Sequence, residues 1–397
     1  MIDFLSDEVR RDPFPLYDRV RRAAPVVYDP RADAWMLFGY EGVRRALNDP
    51  GAFSSDPETA GRSRPEWLVF FDPPRHTRLR ALLASAFTPR STAALEPRIR
   101  TLAGALLDRS AGRGEMDLAA DFAVPLPLLV IAEMLGAPVA DRARFRQWSD
   151  TILDLGHTLP GGEAAEAASR AYRAATAEMH DYIARLAEDR RRAPADDLLT
   201  RMVHAEVEGE RLTPAEILGV FQLLLVAGHE TTTNLVGNAV LSFVEHPDQL
   251  ARVRAAPSLL PSAVEEVLRF RSPVQWMFRF TRCAVEVDGA TIPPGKMVLP
   301  VVGAANRDPA RFERPDRFDV GRDPNPHVAF GHGIHFCLGA PLARLEARVA
   351  LEELLARTGE IARAEDAPWE PRRALHVHGP ARLPIRFEPA TRAAVPA

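Results

Sequence analysis

Cysteine and lysine are nearly missing from this chain of 397 residues. Two cysteines, Cys283 and Cys337, cannot build a disulfide framework. Unpaired thiols fit a reducing compartment, and a cytoplasmic location is expected. Lys296 is the only lysine against abundant arginine, a skew that fits coding bias better than recognition. Charge of one sign is lacking too. The formal net charge is −4, which leaves no broad nucleic-acid footprint. Long apolar runs are also missing. The longest, Ile217 to Gly228, is interrupted by Gln222 and is too short to span a bilayer. The first twenty residues are polar and charged, so neither a signal peptide nor a membrane anchor is expected. No repeat or long linker interrupts the sequence.

What remains is a composition with 46% hydrophobic and 26% charged residues, ordinary for a globular protein with a large core. Residues 26–38 read as a hairpin, with Val26-Val27-Tyr28 and Trp35-Met36-Leu37-Phe38 flanking a turn. Residues 77–115, 121–135, 140–156 and 164–192 carry helical spacing. Thr213-Pro214-Ala215-Glu216 is a helix start, with a Thr N-cap, Pro in the first turn and Glu closing a capping box. One helix is expected from there to about Val244, roughly 45–50 Å long at 1.5 Å per residue. It is apolar on nearly every side and should be buried. Short strands are expected over 283–301, one more hairpin near 374–387, and a loose tail from Glu388 to Ala397. The expectation is one mainly α domain over 1–397, a monomer with small sheets at one side. Its β-containing N-terminal part covers about 1–55, its helical core about 75–270 and its mixed part about 271–387.

Cys337 lies in the run Phe330-Gly331-His332-Gly333-Ile334-His335-Phe336-Cys337-Leu338-Gly339. Glycine admits positive φ and close approach to a flat ligand. The stretch from Pro341 to Leu355 is helix-like, and a cysteine just before a helix N-terminus is biased toward thiolate. Such a thiolate can serve as a nucleophile or as an axial ligand to haem iron. A lone cysteine is more often a small buried hydrophobe. Zinc is a further alternative, because His327, His332 and His335 are close, but no second sulfur is near in sequence.

The central helix carries a polar interruption, Ala227-Gly228-His229-Glu230-Thr231-Thr232-Thr233-Asn234. Buried polar groups need partners, and glycine weakens a helix interior. Either this is a kink satisfied by water, or the acid and alcohol of Glu230-Thr231 order water and relay protons. Two further pairs stand out. Glu266 and Arg269 are three apart on a helix, which alone is usually a solvated ion pair. His76 and Arg80 are four apart and face one way, which alone reads as a basic helix start.

The run 330–339 resembles, throughout, the haem-binding loop of the cytochrome P-450 haem-thiolate monooxygenases. Ala227-Gly228-His229-Glu230-Thr231-Thr232 is similar to that family's oxygen-binding motif, and Glu266-Val267-Leu268-Arg269 to its Glu-x-x-Arg pair. The resemblance runs from about Asp12 to Phe387, is strongest to the soluble bacterial branch, and includes Asn306-Arg307-Asp308-Pro309. It implies the triangular, mainly α fold of that family, with haem b between the central helix and the cysteine-loop helix. Cys337 would bind iron, with Phe330, Gly339 and Ala227 against the haem. His76, Arg80, Arg279 and His335 would bind its propionates, and Glu230 and Thr231 would activate oxygen. Arg317, in Pro315-Asp316-Arg317-Phe318, is the candidate to complete the Glu266–Arg269 network, with Arg322 close behind. Pocket candidates are Trp67, Leu68, Val69, Phe70, Val274, Gln275, Trp276, Met277 and Val377. The segment between Ser55 and Asp72 looks shorter than in many relatives, which implies an open pocket. The implied activity is insertion of one oxygen atom of O2 into an apolar small molecule. Electrons would come from NAD(P)H through a ferredoxin reductase and a ferredoxin guided by Arg75, Arg78 and Arg344. A peroxide-driven enzyme or a non-catalytic haem or ligand-binding protein are the rival readings.

Overall fold

The computed structural model describes residues 6–389 except 63, 85–86, 157–162, 208 and 365–367. Most of the expected tail, 390–397, lies outside the described residues, while Glu388 and Pro389 close a strand. The 26–38 hairpin forms as expected, Val26–Asp29 pairing antiparallel with Ala34–Leu37. The chain then returns from far away in sequence. Met297–Pro300 lies parallel to Ala34–Leu37, and Arg279–Thr281 and Phe53–Ser54 extend the sheet to five strands. Strands from both ends of the chain therefore share one sheet, which carries Arg279 toward the interior.

Proline decides the first helical stretch. Instead of one helix over 77–115, Arg75–Ala84, Pro89–Ala93 and Glu96–Asp108 are separate, followed by the strand Glu115–Asp117. Pro89 starts its helix behind a Thr88 cap that accepts from Ser91 N, and Pro97 sits in the first turn of the next. Gly114, at φ 68°, turns the chain into the strand. Pro125–Met134, Arg142–Gly156 and Glu163–Arg192 follow close to expectation.

The central helix starts with the expected capping box but is two helices, Pro214–Ala227 and Glu230–Glu245. The second is buried on nearly every side, packed on Ala340–Arg357 and Leu260–Phe270. No helix among the described residues is long and apolar enough to cross a membrane. The hairpin expected near 374–387 is not one. Pro380–Arg382 pairs with Glu370–Pro371, while Pro384–Pro389 joins Thr358–Arg363 and Glu115–Asp117. Only Leu383 separates the two strands, too little for a reversal, and it bonds Leu118 N and the Asp117 carboxylate instead.

The Glu266–Arg269 pair is fully buried and bidentate, at 2.7 and 2.8 Å. Arg269 also donates to the carbonyls of Asn306, Pro315 and Arg317 at 2.7–3.1 Å. The third partner is Arg322, whose Nε lies 3.1 Å from Glu266 Oε2. Arg317 contributes its carbonyl while its side chain is exposed, so the assignment passes to Arg322. The network pins residues 306–325 to the Leu260–Phe270 helix just before the cysteine loop. Breaking a buried pair from one side strands a charge, so Arg269→Met should cost about 3–5 kcal/mol. Arg317→Met should stay within about 0.5 kcal/mol. Unfolding midpoints of the two variants compared with the parent check both, and equal losses would remove the distinction.

Candidate functional site

One cavity lies between the cysteine loop and the broken central helix. The empty space there, open solvent included, is ≈ 1740 Å³. Its floor is the 330–339 loop. Gly331 and Gly333 take φ of 75° and 69°, and a Cβ on Gly333 would stand 3.0 Å from Asn48 Cα and 3.1 Å from Leu47 O. Only glycine allows the loop to close on that helix end. Cys337 N donates to Phe330 O at 2.9 Å, and Ala340–Arg357 begins directly after.

Cys337 faces the cavity, whereas Cys283 lies on the outer surface. Burial pushes the Cys337 thiol up, while the backbone groups of Gly339 and Ala340 and the charges of Arg80 and Arg344 pull it down. Burial wins in the bare protein, against the thiolate bias expected from the helix N-terminus. A metal cation at the sulfur would reverse that balance, because coordination deprotonates a thiol. Among the described residues no group of three or more His, Cys, Asp or Glu gathers to hold a metal, so the zinc alternative finds no ligand set. His327 instead lies 3.1 Å from Glu265.

Beside the sulfur is a cationic corner. Arg80, Arg279 and His335 line the cavity, and His76 stands behind, its ring centroid 4.2 Å from that of His335. The Nε2 atoms of both imidazoles are buried without a partner. Arg279 is buried and its guanidinium reaches Phe278 O at 2.8 Å; Arg80 reaches Phe336 O at 2.6 Å. Burial pushes Arg279 down to about 10. Burial, then the charges of Arg279, His76 and Arg80, push His335 down to about 2. Burial first, and Arg80 next, push His76 down to about 4. Asp72, the carboxylate whose charge acts on His76 and Arg279, is already held by Ser54, Ser55 N and Arg282. Donors crowded without an anion suit a ligand that brings its own, and two carboxylates fit.

The wall opposite the sulfur comes from the central helix. Its break falls at Gly228-His229, where a Cβ on Gly228 would meet Ile131 Cδ1 at 2.3 Å. Thr231 lines the cavity, and its hydroxyl donates back across the break to Ala227 O at 2.5 Å. Ala227 and Thr232 line it too. Glu230 does not. It is buried on another face, where burial pushes its carboxyl up to about 7 against the pull of Arg372. Each residue turns 100° further round the axis, and the cavity wall falls on Thr231 and Thr232, one step past Glu230.

Of the pocket candidates, Leu68, Val69, Val274 and Met277 line the cavity. Trp67 and Phe70 turn away into a stack with Phe278, with ring centroids 5.8 and 5.4 Å apart, and Trp67 Nε1 donates to Gln222 at 3.2 Å. Gln275 and Trp276 donate to the carbonyls of Ser272 and Leu375. Val377 bridges to Val274 from behind. Polar ends with partners elsewhere hold Trp67, Gln275 and Trp276 out of an apolar wall. Leu83, Phe87, Met134, Leu224 and Glu346 line the cavity without having been expected there. Phe87 lies between two helices; for the other four the helical segment was legible, but not the face each turns inward. Of the proposed docking arginines, Arg344 pairs with Glu265 at 2.6 and 2.8 Å, Arg78 with Glu216 and Arg75 with Glu66.

Residues 25–358 match the family described as "Cytochrome P450". The chain belongs to the cytochrome P450 family. It is similar to "Cytochrome P450 monooxygenase PikC" of Streptomyces venezuelae, at 42% identity over 96% of this chain and 93% of that one. It is likewise similar to "Vitamin D(3) 25-hydroxylase" of Pseudonocardia autotrophica, at 40% identity over 98% and 96%. Among solved structures, CYP109Q5 from Chondromyces apiculatus superposes with a TM-score of 0.89 at 42% identity, covering 98% of each chain. This P450 is thus an oxygen-incorporating oxidoreductase of the bacterial branch, in a family that implies haem on a cysteine thiolate and uses O2 and redox-partner proteins.

Proposed function

We propose that this P450 inserts one oxygen atom of O2 into an apolar small molecule, by hydroxylation or epoxidation. Electrons would reach it from NAD(P)H through a ferredoxin and its reductase. The observation that carries the reading is a single cavity with one sulfur on its floor, cations at its edge and an apolar opposite wall. Haem b held there would supply the oxygen activation. Cys337 would be its thiolate ligand, Phe330, Ala227 and Gly339 its neighbours, and Arg80, Arg279 and His335 its propionate partners, with His76 bracing His335. Arg344, stacked 4.5 Å from the Phe330 ring centre and paired with Glu265, braces the floor from outside.

Thr231 stands at the cavity wall with a hydroxyl that can hold water and pass a proton. Glu230, buried one position away, keeps a carboxyl poised near neutral pH and can recharge that hydroxyl only through water or backbone. The substrate would be oriented by apolar contact with Leu68, Val69, Val274 and Met277. A terpenoid, steroid, fatty acid or polyketide-like compound suits such a wall, and the relative named for vitamin D(3) supports that class.

The haem assignment is tested by the spectrum of the reduced, CO-bound protein. It should show the red-shifted Soret band of thiolate ligation, which Cys337→Ser should abolish and Cys283→Ser should leave intact. The reverse pattern would overturn the ligand. The Thr231 role is tested with NAD(P)H, ferredoxin and reductase. Thr231→Ala should keep haem and substrate binding, while product per NAD(P)H falls by roughly tenfold or more and hydrogen peroxide rises. Unchanged coupling would remove Thr231 from proton delivery.

A further inference from the structure

Gln222 interrupts the longest apolar run of the sequence, and the oxygen chemistry makes no use of it. Its side chain is 4% exposed on the Pro214–Ala227 helix, directly before Leu223 and Leu224, which line the cavity. A buried amide is costly unless its polar atoms are bonded. Here both ends are. Oε1 accepts from Trp67 Nε1 at 3.2 Å, and Nε2 donates to Thr176 Oγ1 at 3.2 Å. The order is forced, because an indole N–H can only donate. Thr176 belongs to the Glu163–Arg192 helix. One buried amide therefore ties the loop before Asp72 to two long helices.

That loop forms part of the cavity wall. Leu68–Phe70 is a single helical turn directly after Trp67, and its Leu68 and Val69 line the cavity. Two further contacts bring the same stretch of chain to the same helix, at steps of three residues. Arg75 and Arg78 pair with Glu216, and a Cβ on Gly219 would collide with the Glu66 carbonyl. Residues three apart are neighbours on a helix surface, so Glu216, Gly219 and Gln222 form one stripe along which the loop is docked. Of the three contacts, the one at Gln222 adjoins both cavity walls, Leu68 and Val69 on the loop and Leu223 and Leu224 on the helix. Gln222 itself does not line the cavity, so it acts through the loop.

We propose that Gln222 is a specificity-determining positioning residue: through its bond to Trp67 it sets how closely Leu68 and Val69 press on a substrate, and so selects apolar compounds compact enough to lie beneath them. This rests on the haem-thiolate reading above and adds to it the group that fixes the height of the pocket.

The test uses the haem-loaded protein with Gln222→Met, which keeps length but neither bond, Trp67→Phe, which keeps an aromatic ring but not the N–H, and the double variant. Two nitrogen ligands of iron serve as probes, each read by its shift of the haem band. Imidazole is chosen as too small to reach the loop, and 4-phenylimidazole adds an apolar ring that extends beyond it. Loss of one buried hydrogen bond should weaken 4-phenylimidazole roughly fivefold in either single variant, with imidazole binding unchanged. The double variant should be no weaker than the singles, because both break the same bond. Hydrogen exchange should quicken at the amides of Phe70 and Phe71, which bond the carbonyls of Trp67 and Leu68, and stay unchanged in the Ala340–Arg357 helix. Unchanged 4-phenylimidazole affinity, an equal loss for imidazole, or additive losses in the double variant overturns the proposal. Should Gln222→Met fail to fold, Trp67→Phe and the exchange at Phe70 and Phe71 still decide. Absence of any imidazole shift in the parent protein would instead sink the haem reading while exchange still reports on the loop, so the two failures are distinguishable.

Discussion

Burial opposes charge, and at one corner of this protein Asp72 offsets that opposition only in part. Arg80, Arg279 and His335 converge on a cavity, with His76 behind them, and the carboxylate that acts on them among the described residues, Asp72, is already held by Ser54, Ser55 and Arg282. The groups come from three distant places: the Arg75–Ala84 helix, the five-stranded sheet and the cysteine loop. Their meeting places the helix, the sheet and the loop in register. It also makes the corner unfavourable until a ligand brings negative charge. A flat dianion satisfies the corner and lies against Cys337 in the same act.

The remaining architecture holds the two walls of that slot. Below, Gly333 lets the loop press on Asn48, and the buried Glu266–Arg269–Arg322 network anchors the segment that leads into it. Above, the break at Gly228-His229 brings the Thr231 hydroxyl to the cavity while the helix on either side stays buried. The cost of interrupting a buried helix falls where the chemistry needs a hydroxyl, and a Cβ at 228 would crowd Ile131 Cδ1 and the Leu224 carbonyl.

Much of this was legible in the sequence where the signal was local. The hairpin at 26–38, the capping box at Thr213 and the run 330–339 each carry their meaning within a dozen residues. What was missed depends on direction in space. Nothing in Glu230-Thr231 says which of the two faces the cavity, and Trp67 and Phe70 look like pocket residues until their partners Gln222 and Phe278 are known. Arg317 and Arg322 sit at similar distances in sequence from Glu266, and only the loop path between them decides which guanidinium reaches it. Glu346 reads as one more acid on a charged helix, and its burial shows only once the helix is packed.

The central claim, that the cationic corner exists for a dianion lying against Cys337, is tested most directly by comparing haem with its propionate dimethyl ester on the haem-free protein. The ester has the same ring and iron but no charge to offer. Two charge-assisted hydrogen-bond sets at about 1.5–3 kcal/mol each predict that it binds at least roughly a hundredfold more weakly. Equal affinity for the two would contradict the account, since it would mean that the corner does not hold the ligand's charge.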